Sequence, residues 1–389
     1  MVREVAVVGT GLCKWGVRKA TLKELAQEAG KALFDDVDNL PKEEVDSLFV
    51  GSALAERLAF QSYVAPMVAE QLGIHPTRML ARTELACVSG QSAIKMAYMA
   101  IATGLSDIAA VVGVEKMNLP DMAETQASLA AVLDREWEGV AGMTAPPYFA
   151  MVAQRHMYEY GTTREQLGLV SVKNHRFSAT NPYAHFPKEV SLDQVLRSPM
   201  VSTPLRLLDS SGITDGAAAV MLAGEDRARE FTDTPVYIEG VGQAATGNLT
   251  VNLPSLTEWP HMRRAVGDAL GMAGVTIQDM DLAEVHDCFS ISEIMEYEEL
   301  GLAEKGKGGQ FIEEGQSEIG GQLPMNTRGG LLGCGHPLGA TGVAQVVEVV
   351  QQFTGQVPQE RYVGGTWALT HNLSGNANNH SVLVLHRAS

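Results

Sequence analysis

The sequence predicts an α/β layered protein in which one βαβ-rich unit occurs twice, with a long insertion between the copies. Three observations predict it. Short apolar runs ending in glycine alternate with longer helical stretches, the two ends of the chain resemble each other, and residues 118–208 break the rhythm.

The apolar runs are Val5 to Gly9, Ser47 to Gly51, Ile108 to Gly113 and Val236 to Gly240, each bounded as a buried strand would be. The likeness of the ends is segment by segment. "REVAVVGTGLCKWG" matches "TPVYIEGVGQAATG" from Thr234, and "EVDSLFVGSAL" from Glu44 matches "DMDLAEVHDCFS" from Asp279. "ACVSGQSAIKMAYMAIATG" from Ala86 matches "GCGHPLGATGVAQVVEVVQQF" from Gly333, each a tight turn opening into a helix of small and apolar residues. Duplication is the simplest account. It divides the chain into a first half (residues 1–117 plus 209–228), a loop domain (118–208) and a second half (229–389). A structureless loop of the insertion's length would be improbable, so it is expected to carry helices and to serve as a lid or substrate-binding unit.

With 389 residues the chain is long enough for a deep active site, and 45% hydrophobic against 19% charged residues excludes a disordered chain. A formal charge of -17 without a Lys/Arg cluster excludes a general nucleic-acid surface. Four cysteines without C-x-x-C spacing read as free thiols rather than as a zinc site or a disulfide framework. No apolar run reaches membrane-spanning length, no signal segment precedes Val5, and Arg387-Ala388-Ser389 is not a peroxisomal address, so a cytoplasmic location and no membrane partner are expected.

Cys87 falls between a strand pattern and a helix whose apolar face is Ala93, Met96, Ala97, Ala100 and Ile101. Unpaired amides and the positive end of a helix dipole are expected there, and they favour thiolate. The help matters, because an unperturbed thiol of pKa about 8.5 is only roughly 3% ionised at pH 7. His336 stands in "GGLLGCGHPLGATG", where glycines let the backbone approach a ligand and Pro337 fixes the local geometry; neighbouring Cys334 is expected to pack. In "LAEVHDCF", period-two alternation sends His286 and Cys288 to one side and Asp287 to the other. No second ligand pair accompanies them, so no metal is expected. The Gly/Asn-rich turn in "LTHNLSGNANNHSVLVL" can aim an amide at a developing oxyanion or simply join two strands.

Together these segments resemble the thiolase superfamily, in order and over essentially the whole chain. "ACVSG" is similar to its nucleophilic-cysteine turn, "SSGITDGAAAVML" to the segment returning from its loop domain, and "GCGHPLGATG" to its G-H-P-x-G-A-T-G block. His286-Asp287-Cys288-Phe289 and His371-Asn372-Leu373-Ser374 replace the N-E-A-F and C-x-G blocks of ordinary thiolases, which resembles the sterol-carrier-protein type and its bacterial and archaeal relatives. Ser374 stands where that subgroup usually has glycine.

The resemblance implies a five-layer (αβαβα) thiolase fold, CoA and acyl-CoA as substrates with no covalently bound cofactor, and a homodimer or dimer of dimers. It implies that Cys87 forms an acyl-enzyme, that His336 takes its proton, that Cys288 handles the second proton and that His286 helps bind the thioester oxygen. Amides of Cys87 and of the Leu373 region would hold the acyl oxygen. A small zinc-ribbon/OB-fold protein, and hydroxymethylglutaryl-CoA synthase, are partners in some relatives. The alternatives are a ketoacyl-synthase-like condensing enzyme and a CoA-binding scaffold subunit. The acyl group, acetoacetyl or bulkier, depends on loops at residues 118–150 and 243–260, where Trp137, Phe149 and Met151 either line a pocket or pack.

Overall fold

The computed structural model describes residues 3–37 and 39–388. The first half contributes β1 (Val5–Leu12), α1 (Leu22–Asp36), β2 (Ser47–Gly51), α2 (Ala55–Leu58), α3 (Val64–Leu72), β3 (Met79–Thr83), α4 (Ser89–Ala102) and β4 (Ile108–Glu115). The insertion holds α5 (Met122–Leu129), α6 (Ala145–Tyr160), α7 (Arg164–Ala179), α8 (Leu192–Arg197) and a hairpin of β5 (Met200–Ser202) and β6 (Leu205–Arg206). The chain then returns through β7 (Gly216–Gly224) and α9 (Glu225–Ala228). The second half comprises β8 (Val236–Ala245), α10 (Pro260–Ala273), β9 (Leu282–Glu284), α11 (Ser290–Glu299), α12 (Gly308–Glu313), α13 (Gly330–Cys334), α14 (Leu338–Phe353), β10 (Trp367–Ser374) and β11 (Asn379–Arg387).

Strand order runs β3-β2-β4-β7-β1-β8-β11-β10-β9, and the duplication is visible in the pairing. In the first half β1 pairs antiparallel with β7, β7 antiparallel with β4, and β4 parallel with β2. The second repeats this as β8 with β11, β11 with β10, and β10 with β9. The place of β3 is taken by a single parallel bridge between Ala283 and Met325. The two half-sheets meet edge to edge through only Ala6–Tyr237 and Val7–Val236.

β1, β4 and β7 are buried along their whole length, as strands covered on both faces must be. Helices α1 and α3 cover one outer face, α10 the other, and α4 with α14 fill the layer between the half-sheets. That gives the five layers of the expected fold. The sequence of α14, "LGATGVAQVVEVVQQF", lacks a solvent face and the helix is accordingly buried almost throughout. Its crossing with α4 is made by glycines. A Cβ on Gly90 would strike the Gly339 carbonyl, and one on Gly342 would lie 2.7 Å from the Gln91 amide nitrogen. This contact sets the ends of the two helices side by side, and with them the turns that carry Cys87 and His336.

Candidate active site

Cys87 lies in a 3-10 turn, Ala86–Val88, between β3 and α4. Ala86 is held at φ 48°, a left-handed conformation that side chains rarely adopt. Ser89 braces the turn, its Oγ accepting from the Leu85 amide (2.8 Å) and donating to the Ala86 carbonyl (2.7 Å). His336 arrives from the turn between α13 and α14, and His286 from the residues linking β9 to α11. The reactive atoms of Cys87, His286 and His336 all lie within 4.8 Å of one another. The two imidazoles meet edge to face, with centroids 4.8 Å apart.

Hydrogen bonding fixes the state of His336. The Thr341 hydroxyl spends its hydrogen on the Pro337 carbonyl (3.0 Å), so it accepts from His336 Nδ1–H (2.7 Å). Nε2 therefore carries the lone pair, and it has no protein partner. Burial pushes the imidazole down to about 3, so it is neutral at pH 7. His286 is fully buried, neither ring nitrogen has a partner, and burial followed by the charges of His336, His371 and His380 holds it well below its usual range.

The thiol departs from expectation. Although Cys87 is only half-buried by its own surface, the protein around its sulfur pushes it up to about 12, with burial the largest cause and Glu115 adding to it. Its own amide and that of Gly375 pull the other way without prevailing. Helix position alone thus does not yield a resting thiolate, because desolvation of the sulfur outweighs the dipole and the amides. The proton must leave as the sulfur attacks.

Cys288 is buried outside the close trio, 3.5 Å from the Ser292 hydroxyl. Burial lifts its thiol well above the ordinary value, and the charge of Cys87 adds to the rise, which marks the two sulfurs as neighbours in one electrostatic environment. Leu373 pairs with His380 inside the β10–β11 ladder. The amide of this region that favours the Cys87 anion belongs to Gly375, two residues further, in the turn that follows Ser374, the last residue of β10.

Asp287 points away from the trio, as alternation predicts, and has a task there that the sequence reading missed. Its Oδ1 accepts from the Leu331 amide (2.6 Å), and its Oδ2 from the Leu332 amide (3.1 Å) and Asn174 Nδ2 (2.7 Å). It therefore ties the start of α13 to the His286–Cys288 turn. Burial, and then Glu293, push its acid up to about 7. The only sequence signal for this was its place between two candidate residues. Cys334 is buried and donates to the Arg328 carbonyl (3.0 Å), which removes it from the site. Trp137 is 74% exposed, Met151 sits at the surface, and Phe149 stacks on Phe289 with centroids 4.8 Å apart, so these three do not form one pocket wall.

The close trio has the spacing of metal ligands too. A ligating histidine ordinarily has its second nitrogen held by a carboxylate, carbonyl or water, and neither nitrogen of His286 is so held by the protein. A desolvated thiol beside one imidazole with a free lone pair and a second with unassigned nitrogens, with the Cys87 and Gly375 amides favouring its anion, is better fitted to a reacting carbonyl. Among the described residues no helix is long and apolar enough to cross a membrane.

Comparison with known proteins agrees with this arrangement. The thiolase N-terminal domain family matches residues 5–226, and the thiolase C-terminal domain-like family matches residues 242–387. The chain is 42% identical to the acetyl-CoA acetyltransferase of Methanothermobacter thermautotrophicus over 99% of this chain and 100% of that protein. It is 32% identical to sterol carrier protein 2 of Bos taurus, over 95% of this chain and 70% of that one. Among solved structures, the Ltp2-ChsH2(DUF35) aldolase superposes with a TM-score of 0.85 at 26% identity, covering 99% of this chain and 98% of that chain. With both halves matched and the reactive turns of each meeting at one point, the chain belongs to the thiolase family.

Proposed function

We propose that this chain is an acyl-CoA:acetyl-CoA C-acyltransferase, interconverting a 3-oxoacyl-CoA plus CoA with an acyl-CoA plus acetyl-CoA. The observation that carries the reading is the convergence of the Cys87 thiol with two buried, neutral imidazoles whose free nitrogens face it.

In thiolysis His336 Nε2 takes the Cys87 proton while the sulfur attacks the 3-oxo carbon. The Cys87 and Gly375 amides receive the charge that grows on that oxygen. Collapse breaks the bond between carbons 2 and 3, leaving an acyl-enzyme and the enolate of acetyl-CoA. The thioester oxygen of that enolate lies against His286 and the newly protonated His336, and Cys288–SH supplies the proton that completes acetyl-CoA. The Cys288 thiolate then takes the proton of CoA, whose sulfur displaces the acyl group from Cys87 and returns His336 to its neutral form. Condensation is the reverse.

Acyl-CoA is the substrate class. A partner of zinc-ribbon/OB-fold type is favoured by the likeness to an aldolase whose description includes a DUF35 component. A homodimer is favoured by β3, which among the described residues ends the sheet with an unpaired edge, and by Phe60 and Tyr63, exposed at 79% and 80%. The test is to incubate the protein with acetoacetyl-CoA and locate the acetyl group by peptide mass spectrometry. Acetyl on Cys87 with release of acetyl-CoA is expected; no acylation, alone or with the partner present, overturns the reading in favour of a CoA-binding scaffold.

A further inference from the structure

Behind the site, three buried side chains join two of its turns. Glu296 of α11 accepts the His286 amide at Oε1 (3.0 Å), and the same oxygen lies 2.8 Å from His371 Nδ1. His371 Nε2 lies 3.1 Å from His380 Nδ1, with the ring planes 15° apart. His380 Nε2 lies 2.9 Å from the Ala377 carbonyl. Ala377 belongs to the β10–β11 turn that also contains Gly375, whose amide faces the Cys87 sulfur. All three side chains are buried, and Trp259 packs 5.6 Å from His380.

Only one direction of donation satisfies every neutral group. The Ala377 carbonyl can only accept, so His380 carries its hydrogen on Nε2 and accepts at Nδ1. His371 must then donate from Nε2 and accept at Nδ1. The hydrogen it accepts has to come from Glu296, which requires the protonated acid. Glu296 Oε2 has no partner among the described residues, and leaving half of a buried carboxylate unsatisfied would be costly.

We propose that Glu296, His371 and His380 form an uncharged, one-way hydrogen-bond string that positions the Gly375 amide against the His286–Cys288 turn, making the three positioning residues for the acylation step. The inference rests on the reading of Cys87 as the acylated residue. Burial and then Glu293 hold Glu296 well above the usual carboxyl range, with Asp287 adding to this and Lys173 opposing it. Burial holds His371 well below its ordinary value and pushes His380 down to about 3, His261 adding slightly to the latter. These are the states the string demands.

Both contacts fall on Glu296 Oε1, so in Glu296→Gln the amide keeps only one of them: with its NH2 there it still donates to His371 Nδ1, which preserves the direction of the string, and gives up the His286 amide. E296Q, which loses one of the two bonds, is expected to lower kcat for thiolysis by less than about tenfold, while E296A, which loses both, lowers it between about ten- and a hundredfold with KM for CoA unchanged. E296Q falling as far as E296A, or E296A keeping the wild-type kcat, would overturn the proposal. A second measurement does not depend on activity or on any variant folding. In the histidine-15N-labelled wild-type protein, His371 and His380 are each expected to show one protonated and one unprotonated ring nitrogen at pH 7; a doubly protonated His371 would overturn the string. If Cys87 is never acylated in the wild type, the functional reading fails while the NMR result still decides the string.

Discussion

The turn that carries Cys87 and the turn that carries His336 occupy equivalent places in the two halves, yet they are held in opposite ways. The first is only partly covered. Glu84 is exposed, Leu85, Ala86 and Cys87 are half-buried, and the brace is local, supplied by Ser89 on the same turn. The second is buried from Gly330 to Leu338 and clamped from outside its own segment. Asp287 takes the Leu331 and Leu332 amides, and the insertion contributes the His185 and Phe186 amides to the Cys334 and Gly333 carbonyls at 3.0 Å each. Duplication supplied one place twice; chemistry divided the labour. The sulfur has to be reached by a large thioester and to change bonding partners, whereas the base must hold one tautomer and one orientation through both half-reactions.

The comparison breaks most severely if His336 is removed. Replacing it with alanine takes away both the acceptor of the Cys87 proton and a donor to the enolate oxygen, and kcat is expected to fall by roughly 10²–10⁴-fold with the fold intact. Stopped-flow thiolysis with a far-UV spectrum of the variant checks it. A loss under about tenfold would mean that the thiol finds another base, and the division between the halves would need redrawing.

Next in size is the close seating of α14, which carries the His336 turn, on the ends of β2 and β4. A Cβ on Gly339 would run into the Gly51 carbonyl and approach Ser52 Cα and the Val114 carbonyl at 2.8 Å, all backbone at the ends of β2 and β4, so relief requires the start of α14 to lift from the first half-sheet. Gly339→Ala is expected to cost about 1–3 kcal/mol in denaturant unfolding. It should also lower the rate of Cys87 acylation, because the base moves with α14. An unchanged midpoint would show that the glycines do not fix the spacing.

Much of this was legible before any coordinates. The paired segments gave the duplicated strand order, and the three reactive residues that meet were each marked by a turn of the right composition. What the sequence hid falls into two kinds. The protonation state of Cys87 depends on the bulk of protein around the sulfur, and no local motif reports desolvation. The supporting residues were invisible because their partners are remote in sequence: Asp287 bonds to residues 44 and 45 positions away, and Glu296 meets His371 across 75. The Gly375 amide was equally hidden. Where a strand stops and its turn begins is set by the partner strand, here β11, and the free amide lies just past the last ladder pair, Ser374–Asn379.

The smallest effect probes the Cys87 turn itself. Ala86 is held at φ 48°, a conformation that costs a residue with a side chain about 1–2 kcal/mol. Glycine would remove that strain but lose about 0.5–1 kcal/mol through its freer unfolded chain. Ala86→Gly should therefore raise stability by less than about 1 kcal/mol, readable as a small rise in the denaturant midpoint. The surroundings that enforce the conformation remain, with the Ala86 amide on Glu84 Oε1 (2.8 Å) and its carbonyl on Ser89, so the sulfur should stay in place. What changes is how firmly it stays. In a turn whose hydrogen-bonded brace is its own Ser89, glycine widens the range of sulfur positions, and acylation should slow by a few-fold while deacylation, which begins with sulfur already bonded to carbon, is less affected. The equivalent loosening cannot be made in the other half, where the left-handed positions Gly329, Gly330 and Gly335 are glycine already. A variant that is both less stable and equally fast would show that the strain at Ala86 is not stored there for the sulfur.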